Sequence, residues 1–148
     1  MNEQDYLLGI DVGSTTVKVA IMDQVGEILY SEYRRHFARI QETLAEVLRR
    51  ASEKLGSVPV LPAITGSGGM ALAQAMKIPF VQEVIAVSES LDRRYPQTDV
   101  AIELGGEDAK ILYLTGGRDQ RMNGICAGGT GSFIDQMAAL LGTDAEGL

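Results

Sequence analysis

The chain has 148 residues, of which 45% are hydrophobic and 22% charged. That composition describes a globular protein rather than a disordered one. Its formal net charge of −7 argues against nucleic-acid binding, which needs a basic face toward the phosphate backbone. It leaves a nucleotide ligand open, because backbone N–H groups, a few lysines and a metal can hold phosphates whatever the global charge. No stretch reaches the about 20 apolar residues that span a bilayer. The first residues, Met1 to Asp5, are polar and lack a basic leader region, so the cytoplasm is the expected compartment. A single cysteine cannot form an internal disulfide, so it is a buried thiol, a reactive thiol or a ligand.

Tyr6 to Asp11 reads as a short buried strand, with Leu7, Leu8 and Ile10 apolar. Val12 to Thr16 is a turn, Val17 to Met22 a second strand, and Glu27 to Tyr33 a third after the turn at Asp23 to Gly26. Tight turns between three strands predict an antiparallel meander. Arg39 to Leu55 changes period. Ile40, Leu44, Val47, Leu48, Ala51 and Leu55 share one helical face, and Gly56 is a natural stop.

Val60 to Thr65 reads as a strand, Gly66 to Gly69 as a turn, and Met70 to Met76 as a helix. Ile78 to Val84 gives no clear period, and Ala86 to Arg94 reads as a helix ended by Pro96. Val100 to Leu104 is expected to be a buried strand, Gly105 to Asp108 a turn, and Ala109 to Leu114 another strand. Gly128 to Gly131 opens a last helix, Ser132 to Leu141. Strands, helix, strand, helix and strands again predict an α/β fold with a mixed sheet.

Two segments echo each other. In Gly9 to Val19 and in Ala101 to Ile111, an acid (Asp11, Glu103) ends a strand, a glycine (Gly13, Gly105) follows two residues on, and a lysine (Lys18, Lys110) follows seven on. A glycine turn between strands is ordinarily only a hairpin. Two in matching register point further, to phosphate binding, because glycines let backbone N–H groups approach anionic oxygens. The acids stand where a metal or its waters would be, and Mg²⁺ takes one or two carboxylates while keeping waters. Lys18 and Lys110 either offset phosphate charge or are solvated strand residues. Neither turn is a Walker A loop, since no Gly-Lys-Ser/Thr follows. Neither opens a helix as a Rossmann fingerprint does. A duplicated fold is implied. Its second half breaks off after one helix, so the chain is expected to be a piece of a longer protein, with an apolar face left uncovered.

Cys126 precedes the glycine-rich turn that opens the last helix. Helix N-termini carry partial positive charge and free N–H groups, which favour a thiolate. With Gly128, Gly129 and Thr130 the same place could meet a phosphate. The plainer reading is a small buried hydrophobe. One thiol cannot hold a cubane cluster, which takes four. More cysteines would have to lie downstream, or symmetric chains would have to share the cluster.

Four stretches carry a family resemblance: Gly9-Ile10-Asp11-Val12-Gly13-Ser14-Thr15-Thr16-Val17-Lys18, Thr65-Gly66-Ser67-Gly68, Glu103-Leu104-Gly105-Gly106-Glu107-Asp108-Ala109-Lys110 and Asn123-Gly124-Ile125-Cys126-Ala127-Gly128-Gly129-Thr130-Gly131. The sequence resembles the activators of 2-hydroxyacyl-CoA dehydratases, related to the ATPase subunits of benzoyl-CoA reductase. They belong to the superfamily of actin, heat-shock chaperones and sugar kinases. The wording of the last two stretches looks most like the module that opens the large, multidomain members.

That resemblance implies the actin-like, ribonuclease H-like fold, with a first subdomain over residues 1–97 and the start of a second over 98–148. It implies ATP hydrolysis driving low-potential electron transfer from a 4Fe-4S cluster to a dehydratase partner. A homodimer would bridge the cluster with two cysteines per subunit, of which Cys126 matches the first, and a ferredoxin or flavodoxin would supply electrons. Asp11 would position Mg²⁺ through water. Gly13, Ser14, Thr15, Thr16, Gly105 and Gly106 would bind phosphates, with Lys18, Asp108 and Lys110 beside them. Catalytic roles would fall on Asp11, Glu103 and Glu107. Many small members have Gln where Glu107 stands, and a carboxylate there would repel a γ-phosphate unless a metal or proton compensates.

His36, after Arg34-Arg35, reads as a surface residue. Asp135 and Gln136 sit in a first helical turn, where an acid is favourable. Met70, Met76 and Met137 read as core filler. A sugar or acid kinase of the same superfamily would share both hairpins without needing Cys126, and a non-catalytic actin-like scaffold would bind nucleotide and turn it over slowly.

Overall fold

The computed structural model describes residues 5–116, 119–123, 130–144 and 147–148. The chain divides into two units, Met1–Glu83 and Val84–Leu148.

The first unit is built on a four-stranded sheet. Strand β1 (Tyr6–Val12) pairs antiparallel with β2 (Thr16–Met22), and β2 with β3 (Ile28–Arg35), as the meander reading requires. Asp23 shapes the β2–β3 turn: its carboxylate accepts the Val25 and Glu27 N–H groups at 3.0 and 2.9 Å. Helix α1 (Ile40–Leu55) then carries the chain over the sheet, and β4 (Val60–Thr65) returns parallel to β1. The strand order is therefore β3-β2-β1-β4 and the sheet is mixed.

One sheet face carries Leu8, Ile10, Val12, Val17, Val19, Ile21, Tyr30 and Ile64, and it packs with Leu44, Val47 and Ala51 of α1. Alternation along the strands and a three-to-four residue repeat along α1 bring these apolar atoms together. Burying each of the valine, leucine and isoleucine side chains is worth about 1.5–3 kcal/mol before conformational entropy is subtracted. Gly56, at φ +78°, ends α1.

Helix α2 (Gly69–Met76) adds Ala73 to this core. The methionines expected there do not follow. Met70 and Met76 are exposed, because the inward face of α2 is made by Gly69 and Ala73. Ile78 to Val84 resolves into an extended stretch, with Phe80 bridged to Ile64, and the start of helix α3 (Glu83–Arg94).

The second unit has a three-stranded antiparallel sheet, β5 (Val100–Leu104), β6 (Ala109–Tyr113) and β7 (Asp119–Met122), and helix α4 (Gly131–Leu141). Leu112 and Ala138 are buried here. The expectation that β5 is buried does not hold: Val100, Ile102 and Leu104 are exposed. Ile102 pairs with Ile111, also exposed, so these side chains form an apolar sheet face open to solvent. Among the described residues no helix is long and apolar enough to cross a membrane.

Candidate functional site

In the first unit, β1 delivers Asp11 to the end of the sheet. Asp11 stands opposite Lys18 in the antiparallel register, and the ammonium lies 2.7 Å from Asp11 Oδ2. Both side chains are partly open to water, so the pair contributes only about 0–1 kcal/mol and is easily exchanged for other partners. The Gly13 N–H donates to the Thr16 carbonyl at 2.9 Å and closes the turn. Thr16 is buried, Thr15 half-buried and Ser14 exposed. A Cβ on Gly13 would touch nothing closer than 3.5 Å. Its φ is also not positive. Nothing within the described residues therefore demands glycine at 13.

Gly66 is different. Its φ is +97°, and a Cβ there would lie 2.2 Å from the Val12 carbonyl and 2.5 Å from Asp11 Oδ1. The Gly68 N–H donates to that same Val12 carbonyl at 2.8 Å, and the Ser67 N–H to Glu83 Oε1 at 3.0 Å. The Thr65-Gly66-Ser67-Gly68 turn is thus pressed against the strand end that carries Asp11.

His36 corrects the sequence reading. It is 5% exposed rather than a surface residue. Its Nδ1 accepts the Ala38 N–H at 3.1 Å, so Nε2 carries the proton and donates to the Gly13 carbonyl at 3.2 Å. The His36 N–H also donates to the Thr15 carbonyl. Phe37 and Ala38, at φ +46° and +63°, bend the chain to allow this. The flanking arginines hid the arrangement, since Arg35 is exposed while the next side chain folds under the turn.

The second unit repeats the geometry. Glu103 stands opposite Lys110 and Leu104 opposite Ala109, just as Asp11 faces Lys18 and Val12 faces Val17. The Gly105 N–H donates to the Asp108 carbonyl at 2.8 Å, matching the Gly13–Thr16 bond. Lys110 is more enclosed than Lys18, at 3.7 Å from Glu103 and 3.4 Å from Asp108. Asn123 brackets Ala109, accepting its N–H at 2.9 Å and donating its own to its carbonyl at 3.0 Å. Glu107 is exposed.

The start of α4 is tied to this second turn. The Gly131 N–H donates to the Gly105 carbonyl at 2.7 Å and the Ser132 N–H to the Gly106 carbonyl at 3.3 Å. The Ser132 hydroxyl also bonds to Gly106. Those two N–H groups are therefore engaged, where the sequence suggests a free helix start. Thr130 is 2% exposed and in extended conformation. Cys126, Gly128 and Gly129 lie outside the described residues.

A strand-ending acid, a glycine turn and an opposed lysine, present twice on an α/β frame with a mixed sheet, define an actin-like ATPase fold. The model of the BadF/BadG/BcrA/BcrD ATPase family matches residues 8–148, and the chain belongs to that family. It is 33% identical to the 2-hydroxyisocaproyl-CoA dehydratase activator of Clostridioides difficile, over 97% of this chain and 55% of that protein. It is 30% identical to the (R)-2-hydroxyglutaryl-CoA dehydratase activating ATPase of Acidaminococcus fermentans, over 92% and 54%. The solved activator of the 2-hydroxyisocaproyl-CoA dehydratase from Clostridium difficile, with bound ADPNP, superposes with a TM-score of 0.78 at 28% identity, over 95% of this chain and 53% of that one. The chain thus spans about half the length of these relatives.

Proposed function

We propose that this chain is the ATP-binding front part of an activase that hydrolyses ATP to drive low-potential electron transfer into a 2-hydroxyacyl-CoA dehydratase-type partner. Residues 1–97 would be its first ribonuclease H-like subdomain and 98–148 the start of its second. The observation that carries the reading is the repeated hairpin: Asp11 against Lys18 and Glu103 against Lys110, each with a glycine turn closed by the same backbone bond. A relative of the same fold holds an ATP analogue, and the relatives are activators of hydroxyacyl-CoA dehydratases.

In this reading Gly13, Ser14, Thr15 and Thr16 offer the first phosphate turn, and Gly105 and Gly106 the second. Uncrowded Gly13 supports this, since a ligand's approach would explain a glycine that internal packing does not require. The Asp11 carboxylate fits Mg²⁺ held through water. Among the described residues no three His, Cys, Asp or Glu side chains form a cage, and Mg²⁺ commonly binds with one or two carboxylates. Such a metal would neutralise charge on the phosphates. Lys18 is then free to turn toward the phosphate, since its ion pair with Asp11 is weak.

Cys126 would supply one ligand to a 4Fe-4S cluster shared by a homodimer, with ferredoxin or flavodoxin as electron donor, in the cytoplasm. The test is to purify the full-length protein without oxygen and record iron content, absorption and EPR spectra. A brown protein whose cluster signal is lost in Cys126→Ala is expected. A colourless protein with no iron after reconstitution would rule out electron transfer and leave a kinase or a non-catalytic nucleotide-binding scaffold of the same fold. A cluster retained in Cys126→Ala would remove only that residue's role.

A further inference from the structure

Thr65 ends β4 opposite Asp11 in the parallel register, so both side chains lie on the same face of the sheet. Its hydroxyl oxygen is buried and has no hydrogen-bond partner. Buried hydroxyls normally have one, because leaving a donor unsatisfied is unfavourable. Valine has the same shape, favours strands and would carry no such penalty. Looseness does not explain the orphan. The next three residues are clamped: Ser67 N–H to Glu83, Gly68 N–H to Val12, and Gly66 pressed on Asp11 Oδ1. The end of β4 therefore holds a spare donor in register with Asp11 on the neighbouring strand.

We propose that Thr65 is a positioning residue for Asp11. While Lys18 holds Asp11 Oδ2, the hydroxyl has no bond. With a metal–nucleotide bound, Lys18 would turn to the phosphates and the Thr65 hydroxyl would donate to the Asp11 carboxylate it leaves, orienting that carboxylate toward the metal. This inference rests on the reading of the first hairpin as a nucleotide site. Gly66 belongs to the same device, because any Cβ would drive Asp11 Oδ1 from its place.

The experiment measures ADP affinity with and without Mn²⁺, and bound Mn²⁺ by EPR, on the full-length protein. Thr65→Val should melt higher than wild type, because an unsatisfied polar atom is removed. Its Mn²⁺ affinity in the presence of ADP should fall roughly tenfold, the usual range for a group that orients a metal's ligand. Metal-free ADP binding should be unchanged, and Thr65→Ser should keep the wild-type Mn²⁺ affinity. Ser88→Ala removes another buried hydroxyl that has no partner among the described residues, on helix α3; it should melt higher and keep the wild-type Mn²⁺ affinity. Wild-type Mn²⁺ affinity in Thr65→Val overturns the proposal and leaves the nucleotide reading standing. Wild-type protein that binds no nucleotide overturns both.

Discussion

Gly66 and Gly13 look alike in the sequence but carry different obligations. At Gly66 the left-handed backbone and the 2.2 Å approach to the Val12 carbonyl exclude any side chain. Gly66→Ala should therefore cost at least about 2 kcal/mol of stability, measured by calorimetry. Gly13→Ala should leave the melting temperature nearly unchanged and weaken nucleotide binding. Tyr30 gives a pH-dependent expectation. Its phenol is pushed up to about 12, first by burial, then by its hydrogen bond to Glu32 and that residue's charge. A folded-state value above the ordinary 10 means its contribution is complete below pH 10 and is lost as pH rises toward 12. Tyr30→Phe should remove that part of the alkaline loss in a pH series of unfolding curves.

At the scale of elements, the helices and most strands were legible because their periods are strong. The face of α1 named from spacing alone supplies Leu44, Val47 and Ala51 to the core. Leu44 is 4% exposed, so Leu44→Ala should cost about 2–5 kcal/mol in denaturant unfolding. Strand β7 was not legible. Asp119-Gln120-Arg121-Met122 offers no alternation, and all four side chains are exposed, so only its ladder to β6 makes it a strand. The burial of β5 was misread for the opposite reason. Its apolar run suggested two covered faces, whereas Val100, Ile102 and Leu104 face solvent. His36 and Thr65 were illegible as well, since each is defined by what it meets from another element: the Gly13 carbonyl and the register of Asp11.

For the whole molecule, the echo between the two hairpins was the most legible part of the candidate site. It survives as the same acid–lysine register in both units. Family membership follows from the match over residues 8–148. The segment around Cys126 contributes motif but no described geometry, so the cluster proposal stands on resemblance and the nucleotide proposal on structure. The central claim is that Asp11 serves a metal–nucleotide. The most direct measurement is Mg²⁺-dependent ATP hydrolysis by the full-length protein and by Asp11→Ala, with folding checked by calorimetry. Loss of Mg²⁺-dependent turnover in a folded variant is the expected result; turnover equal to wild type would contradict it.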